Sequence, residues 1–158
     1  MRRIVALLAV AVAVAGVSAQ EAKPEKPVIR YGVEPELERY PQTTPKDALR
    51  AVLKAINDGH VHYLLAQLTD PEFVDLRVKD RGGKFDKVVE ETKSLYAADP
   101  EKVRTLRRFL VDGEFEEMGD AAAVKLKDVK SRAVFLKRMA GRWYLENRTS
   151  AEPKSPPS

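Results

Sequence analysis

The hydrophobic positions of the chain change their period once, near residue 113. Before that point they recur every three or four residues, as they do on the buried face of amphipathic helices. After it they alternate with polar positions, a pattern typical of an antiparallel sheet with one buried face. We therefore predict an α+β fold in which N-terminal helices pack on a curved antiparallel sheet of about four strands.

Capping residues mark where the predicted helices begin. Thr44-Pro45, Asp70-Pro71 and Asp99-Pro100 each place a polar side chain before a proline, and proline suits the first helical position. Together with the break after residue 57 and the glycine pair at residues 82–83, they delimit five helices. Their predicted inward positions are Ala48, Leu49, Val52, Leu53 and Ile56; Val61, Leu64, Leu65 and Leu68; Phe73, Val74 and Val78; Phe85, Val88, Val89, Thr92, Leu95 and Tyr96; and Val103, Leu106, Phe109 and Leu110.

Four strands are predicted, over residues 114–118, 121–127, 132–139 and 142–148. Alternation places Val134 and Leu136 on one face of the sheet and Phe135 on the other. In the last strand Trp143 faces the core and Tyr144 faces outward. Because exposed aromatic side chains often mark interfaces, a homodimer through Phe135 and Tyr144 is one hypothesis that the pattern raises.

The two ends of the chain differ from its middle. Residues 1–19 combine Arg2 and Arg3, an apolar run over residues 4–17 and small residues up to Ala19, which together indicate a signal peptide. An uncleaved anchor is the alternative, but the run is shorter than the roughly 20 residues that span a bilayer. We therefore expect export to the periplasm or the cell exterior, no stable membrane insertion, and a mature chain starting at Gln20, which N-terminal sequencing would read.

Prolines mark the segments on either side of the predicted domain. Residues 20–43 carry four prolines among charged residues, which indicates a tether whose second half can dock on the domain through its apolar side chains. Residues 149–158 carry three prolines and indicate a disordered tail. Residues 44–148 then form a single α+β domain.

Charge and composition exclude several classes of function. The chain has 158 residues and a formal charge of +4, which falls to +2 once Arg2 and Arg3 are removed with the leader. Because basic and acidic residues are interleaved, we expect no nucleic-acid partner. Four cations of the fifth predicted helix could contact a polyanion, but a solvated helix face is the favoured interpretation. They are Lys102, Arg104, Arg107 and Arg108.

No motif for a cofactor or a metal is present. The chain has no cysteine, which excludes disulfides, thiolate metal sites and a cysteine nucleophile. It also has no Gly-x-Ser-x-Gly motif, phosphate-binding loop or dinucleotide fingerprint. His60 and His62 are its two histidines, and a metal site needs more ligands than they offer. We expect neither a cofactor nor a bound metal.

The strand motifs resemble a known superfamily. GDAAAVKL at residues 119–126, followed by VFLKRMAGRWYL at residues 134–145, is similar to the last strands of small exported domains in the nuclear transport factor two-like superfamily. Such domains also begin with a Thr-Pro-acid helix like that at residues 44–56, a polar turn like Asn57-Asp58-Gly59 and a second helix like that at residues 61–68. The resemblance covers residues 44–148 and implies a cystatin-like cone, in which a curved sheet surrounds a helix.

The same resemblance suggests where a site would lie. In that superfamily the cone is either a ligand pocket or a filled core, and the enzymatic members use an Asp or a His that projects into it. His62 and Asp70 are the corresponding catalytic candidates in this chain. If the cone is open, we expect its ligand pocket to be lined by Tyr63, Leu126, Leu136 and Trp143. The two helices predicted at residues 85–97 and 101–112 depart from the usual pattern, which leaves the depth of the cone open.

These observations favour a non-catalytic exported domain that binds an unidentified protein or small molecule, or serves as an accessory module. The alternative is a small hydrolase, isomerase or dehydratase that works in the cone with His62 or Asp70 as base. An open apolar cavity that contains a buried His or Asp would favour the enzyme. A packed cone would favour the module.

Overall fold

The computed structural model of the chain describes residues 28–148. The predicted signal peptide, the first part of the predicted tether and the predicted tail lie outside these residues. Within them, five helices precede a four-stranded sheet, so the predicted α+β fold is confirmed. The helices are α1 (Pro45–Asn57), α2 (Val61–Tyr63, continued by a π-helical segment over Leu64–Leu68), α3 (Pro71–Asp80), α4 (Phe85–Ala98) and α5 (Pro100–Asp112); the strands are β1 (Glu114–Met118), β2 (Ala121–Leu126), β3 (Val129–Met139) and β4 (Arg142–Glu146).

Two of the helix starts use the capping chemistry that the sequence predicts. The Thr44 hydroxyl accepts a hydrogen bond from the backbone N–H of Asp47 at 3.1 Å. The carboxylate of Asp70 accepts one from the backbone N–H of Glu72, also at 3.1 Å. Asp99 precedes Pro100 at the start of α5, but its side chain makes no capping hydrogen bond. The start of α5 therefore lacks the side-chain cap that the start of α1 has.

Glycines end two helices for different reasons. Gly59 follows α1 with a φ of 72°, a backbone conformation that side chains other than glycine rarely adopt. Gly113 joins α5 to β1, where a Cβ atom would lie 2.1 Å from the carbonyl oxygen of Phe109 and 2.5 Å from Cγ1 of Val124. The absence of a side chain at Gly113 thus lets α5 approach the sheet closely.

The π-helical segment is the most deeply buried part of the helical layer. All five of its residues are buried. The Thr69 hydroxyl donates to the carbonyl of Leu64 at 2.9 Å, and the backbone N–H of Asp70 donates to the carbonyl of Leu145 at 2.8 Å. The sequence predicts a helix here without its π form. The bond from Asp70 to Leu145 attaches the end of the segment to β4.

The sheet is an antiparallel meander with strand order β1-β2-β3-β4. A two-residue turn joins β3 to β4, with Ala140 and Gly141 at φ values of 49° and 75°, as hairpins of this length require. β3 is much longer than β4 and pairs with it only over residues 135–139. The first half of β3 therefore extends beyond the end of β4.

One face of the sheet carries the main core. α1 and α5 pack on it, and the alternation predicted for β2, β3 and β4 is confirmed on this face. The buried residues of this cluster are Ala48, Leu49, Phe109, Ala122, Val124, Leu126, Val134, Leu136 and Trp143. A second cluster joins the other side of α1 to Tyr40 and to the α2 region. A third links α2 and the π-helical segment to α3 and α4.

The opposite face of the sheet corrects one expectation. Phe135 and Tyr144 point away from the main core as predicted, but they are not exposed: 8% of Phe135 and 4% of Tyr144 is accessible. The Cζ atom of Arg148 lies 3.8 Å from the centre of the Phe135 ring, and that of Arg142 lies 5.3 Å from the centre of the Tyr144 ring. Covered aromatics do not form the open apolar patch on which the homodimer hypothesis depended, so that hypothesis stays a prediction without this support.

The second half of the predicted tether packs on the domain, as expected from its apolar side chains: Val33 lies against the second cluster and the ring of Tyr31 stacks on Phe85. Tyr40 and Gln42, which the sequence does not single out, are fully buried, whereas Val28 and Ile29 are exposed. The Gln42 side-chain amide donates to the carbonyls of Gln67 at 3.0 Å and of Trp143 at 2.8 Å. Residues 40–43 are thus part of the folded unit, which begins earlier than residue 44.

The stripe predicted on α4 is only partly buried. Val88 and Val89 are buried, whereas 49% of Leu95 is accessible. In the second half of the stripe, Tyr96 is partly buried beside the second cluster, whereas Leu95 has little to pack against. Among the helices of residues 28–148, none has both the length and the apolar character needed to cross a bilayer.

Candidate functional site

Asp70, one of the two catalytic candidates, takes part in a helix cap and an ion pair. Its carboxylate caps α3 and also lies 2.8 Å from the Nζ atom of Lys137 on β3. Burial by itself lowers the pKa of Lys137, but the hydrogen bond and charge of Asp70, with a further contribution from Glu72, outweigh it and raise that pKa. Lys137 therefore stays charged and neutralises Asp70. The Asp70 carboxylate is thus engaged in two structural contacts.

His62, the other catalytic candidate, is exposed. Its ring centre lies 5.7 Å from that of His60, so the two histidines are neighbours. His60 is the one with a defined partner, because its Nδ1 atom lies 2.7 Å from the hydroxyl of Tyr40. In residues 28–148, no three Asp, Glu or His side chains come together as a metal-binding group.

The four residues predicted to line a ligand pocket lie in packed core. Leu126, Leu136 and Trp143 belong to the cluster beneath α1 and α5. Tyr63 belongs to the second cluster, beside Tyr40, and its hydroxyl accepts a hydrogen bond from the backbone N–H of Glu36 at 2.8 Å. The structure therefore divides these residues between two clusters. None of them lines either of the two cavities that adjoin α5.

A cavity of about 680 Å³ opens beside the sheet, where β3 extends beyond β4. We call it the α5–sheet cavity; it lies between the end of α4, the first turns of α5, residues 131–134 of β3 and residues 145–148. Its apolar wall includes Leu106, Phe109, Val134 and Leu145. α5 packs on the main core through Leu106, Phe109 and Leu110, and the cavity lies beside this contact.

The rim of the α5–sheet cavity carries both signs of charge. Glu146 and Arg148 are paired at 3.8 Å, and 17% of the Glu146 side chain is accessible. The Nε atom of Arg148 is buried and has no hydrogen-bond partner within the described residues. Asp99 and Lys102 form a second pair on the helical side, also at 3.8 Å. The rim therefore offers both donors and acceptors around an apolar wall.

A second cavity, of about 600 Å³, lies on the other side of the α4–α5 junction. We call it the α4–α5 cavity; it is bounded by the end of α1, the start of α2, α4 and α5. Ile56, Val61 and Val103 contribute apolar surface. Three cations also line it, namely Lys93, Arg104 and Arg107.

Tyr96 lines both cavities. Burial raises the pKa of its hydroxyl above the ordinary value of 10.0, so the group is protonated at neutral pH and can donate a hydrogen bond. The sequence places Tyr96 in the inward stripe of α4 and gives no reason to separate it from Val88 or Val89. A tyrosine at the end of an apolar stripe is the one available signal, because its polar tip needs a partner or water.

Similarity to known proteins adds no family assignment to these observations. Comparison with protein-family models, with curated proteins and with solved structures gave no match. The resemblance to the nuclear transport factor two-like superfamily and the cone that it implies therefore stay predictions from the strand motifs.

Proposed function

We propose that this chain is a non-catalytic exported binding domain and that its small-ligand site is the α5–sheet cavity. The observation that carries the proposal is the shape and lining of this cavity. Its volume of about 680 Å³ lies in the range of small-molecule sites, and an apolar wall with a few polar groups at the rim is their usual composition. Export is supported by the leader pattern of residues 1–19.

The polar rim indicates the kind of ligand. Three acidic and three basic residues line the cavity, so the rim offers hydrogen bonds of both kinds without a net formal charge; they are Asp99, Glu101, Glu146, Lys102, Arg132 and Arg148. A neutral, largely apolar molecule with one or two polar groups matches this arrangement best, because it adds no charge to a rim whose charges already balance.

The arrangement of titratable groups favours binding over catalysis. No histidine lines either cavity, and Asp70 lies outside both. Glu146 is the most buried carboxylate at the rim of the α5–sheet cavity, and its partner Arg148 neutralises it. General acid–base catalysis needs a group within hydrogen-bond reach of the proton that is transferred. A carboxylate whose oxygen already faces a guanidinium is poorly placed for that contact.

A neutral fluorescent probe, N-phenyl-1-naphthylamine, tests the proposal. We expect its emission to rise when it is titrated into the full chain, because it enters an apolar environment. Thr105 lines the α5–sheet cavity, and the variant Thr105→Trp should fill it and weaken binding by at least about tenfold. Val111→Trp is the matched control, because Val111 lies on the same helix and 71% of it is exposed.

Two results would count against this proposal. One is a probe that gives no signal with the unaltered chain. The other is equal weakening by Thr105→Trp and Val111→Trp, which would place the probe elsewhere. Circular dichroism of both variants checks that each keeps the α+β fold.

A further inference from the structure

The α4–α5 cavity has a charge distribution unlike that of the α5–sheet cavity. Lys93 from α4 and Arg104 and Arg107 from α5 line it, and none of the carboxylates within residues 28–148 does. Three cations from two helices therefore meet at one concave surface. Like charges gathered in this way attract an anion of matching size.

Arg107 is the cation most available to a ligand. Within residues 28–148 it has no ion-pair partner, whereas its neighbour Arg108 is held by Asp128 at 2.6 Å. Lys102 is likewise paired with Asp99, away from the cavity. The four cations that the sequence places on this helix thus do not form a continuous stripe, and a long polyanion has no uniform surface to follow.

The other two cations can also contribute. Lys93 is paired with Glu90 at 2.9 Å, and Arg104 is paired with Glu101. Neither glutamate lines the cavity, and both pairs are solvent-exposed. Exposed ion pairs contribute little to stability, so an incoming anion can share these cations at small cost.

The floor of the cavity supplies the second half of the recognition. Ile56, Val61 and Val103 present apolar side chains, and the ring of Tyr96 lies among them with a hydroxyl that can donate a hydrogen bond. An inorganic ion would leave this surface uncovered. We propose that the α4–α5 cavity binds a small organic anion, either a carboxylate or a phosphate ester, that carries an apolar ring or chain.

Three related probes separate charge from apolar contact. We would titrate 1-naphthoate, 1-naphthyl phosphate and the neutral 1-naphthamide into the ¹⁵N-labelled chain and follow the backbone amides by nuclear magnetic resonance. Both anions should shift amides at residues 56–61 and 93–107, and at least one should bind about tenfold more tightly than the amide. The stronger of the two anions identifies the headgroup.

Neighbouring arginines provide the matched variants. Arg107→Gln should weaken binding of the stronger anion by about tenfold, because the unpaired guanidinium is its main charged contact. Arg108→Gln removes the same charge from the same helix outside the cavity, and should leave the affinity within about twofold. Both side chains are exposed, so neither change should alter the fold.

Several outcomes would overturn the inference. They are equal affinity for 1-naphthamide and the anions, equal loss in the two arginine variants, and no amide shift with any probe at millimolar concentration. Equal loss would indicate long-range attraction by the whole helix. Shifts confined to the α5–sheet cavity would assign the anions to that site. The two cavities thus have separate probes, and either proposal can fail without the other.

Discussion

α1 and α5 are two helices of 13 residues that both begin with proline, yet they are buried to very different degrees. In α1, seven residues are buried, whereas in α5 only Phe109 is. α1 contacts the sheet on one side and the π-helical segment on the other. α5 contacts the sheet and α1 through Leu106, Phe109 and Leu110, and the two cavities flank it. Cavity space therefore lies beside the helix that is less completely buried.

This difference divides the molecule into a scaffold and a cavity region. The scaffold consists of α1, the π-helical segment and the sheet, which share the two largest clusters of buried residues. The cavity region consists of the α4–α5 junction, where Tyr96 lines both cavities. Elements with few buried contacts open more readily than the core, and ligand sites are commonly drawn from them.

Removing one leucine from each region tests this division and should give the greatest change in the free energy of unfolding. Leu49 on α1 is fully buried in the main core, so Leu49→Ala should lower the free energy of unfolding by about 2–5 kcal/mol. Leu95 on α4 belongs to an equally regular stripe but is half exposed, so Leu95→Ala should change it by less than about 0.5 kcal/mol. Urea denaturation of both variants measures the difference. Similar losses would show that α4 packs as tightly as α1.

A smaller effect is expected where the tether joins the scaffold. Gln42→Met keeps the length of the side chain but removes its donor, which leaves the carbonyls of Gln67 and Trp143 without that bond in the core. Unpaired buried carbonyls should cost about 1–3 kcal/mol of unfolding free energy. Glu38→Ala, at an exposed position nearby, is the control. If Gln42→Met is neutral in urea denaturation, residues 40–43 are a detachable tether after all.

The sequence predicts well those features that depend on near neighbours. Thr44 caps α1 because its own hydroxyl reaches an N–H three residues along the chain. The strands alternate because successive side chains point to opposite faces, so Val134 and Leu136 separate from Phe135 whatever covers them. Both kinds of signal are complete within a few residues.

The features that sequence reasoning missed depend on distant partners. Gln42 lies among prolines and reads as tether, but its side chain bonds to residues 25 and 101 positions away. Leu95 and Tyr96 continue the stripe of Val88, and the spacing does not tell that Leu95 is half exposed while Tyr96 packs beside the second cluster. Asp70 reads equally as a cap and as a base until Lys137 is brought beside it from β3. Choosing among such alternatives requires the tertiary arrangement.

The starts of α1 and α5 should also differ in how they contribute to the free energy of unfolding, by a smaller amount than in the two cases above. The hydrogen bond from the Thr44 hydroxyl outweighs partial burial and, with those from Thr43 and Arg50, lowers the pKa of Asp47 below 3.8. A carboxyl whose pKa is lowered by folding stabilises the native state above its unfolded pKa, and the contribution is lost as pH falls through the folded pKa. Asp47→Asn should therefore cost about 0.3–1 kcal/mol at pH 7, and the gap between variant and unaltered chain should close below pH 3.8.

Asp99→Asn supplies the counterpart at α5, because the Asp99 side chain makes no capping hydrogen bond there. Its unfolding free energy at pH 7 should stay within about 0.3 kcal/mol of that of the unaltered chain. Urea titrations at intervals from pH 7 to pH 3 measure the Asp47→Asn gap, and one at pH 7 measures Asp99→Asn. If the Asp47→Asn gap persists at low pH, or if Asp99→Asn opens a gap of the same size, the two helix starts are equivalent. The lower burial of α5 would then have to come from its packing alone, since its first turn would be as stable as that of α1.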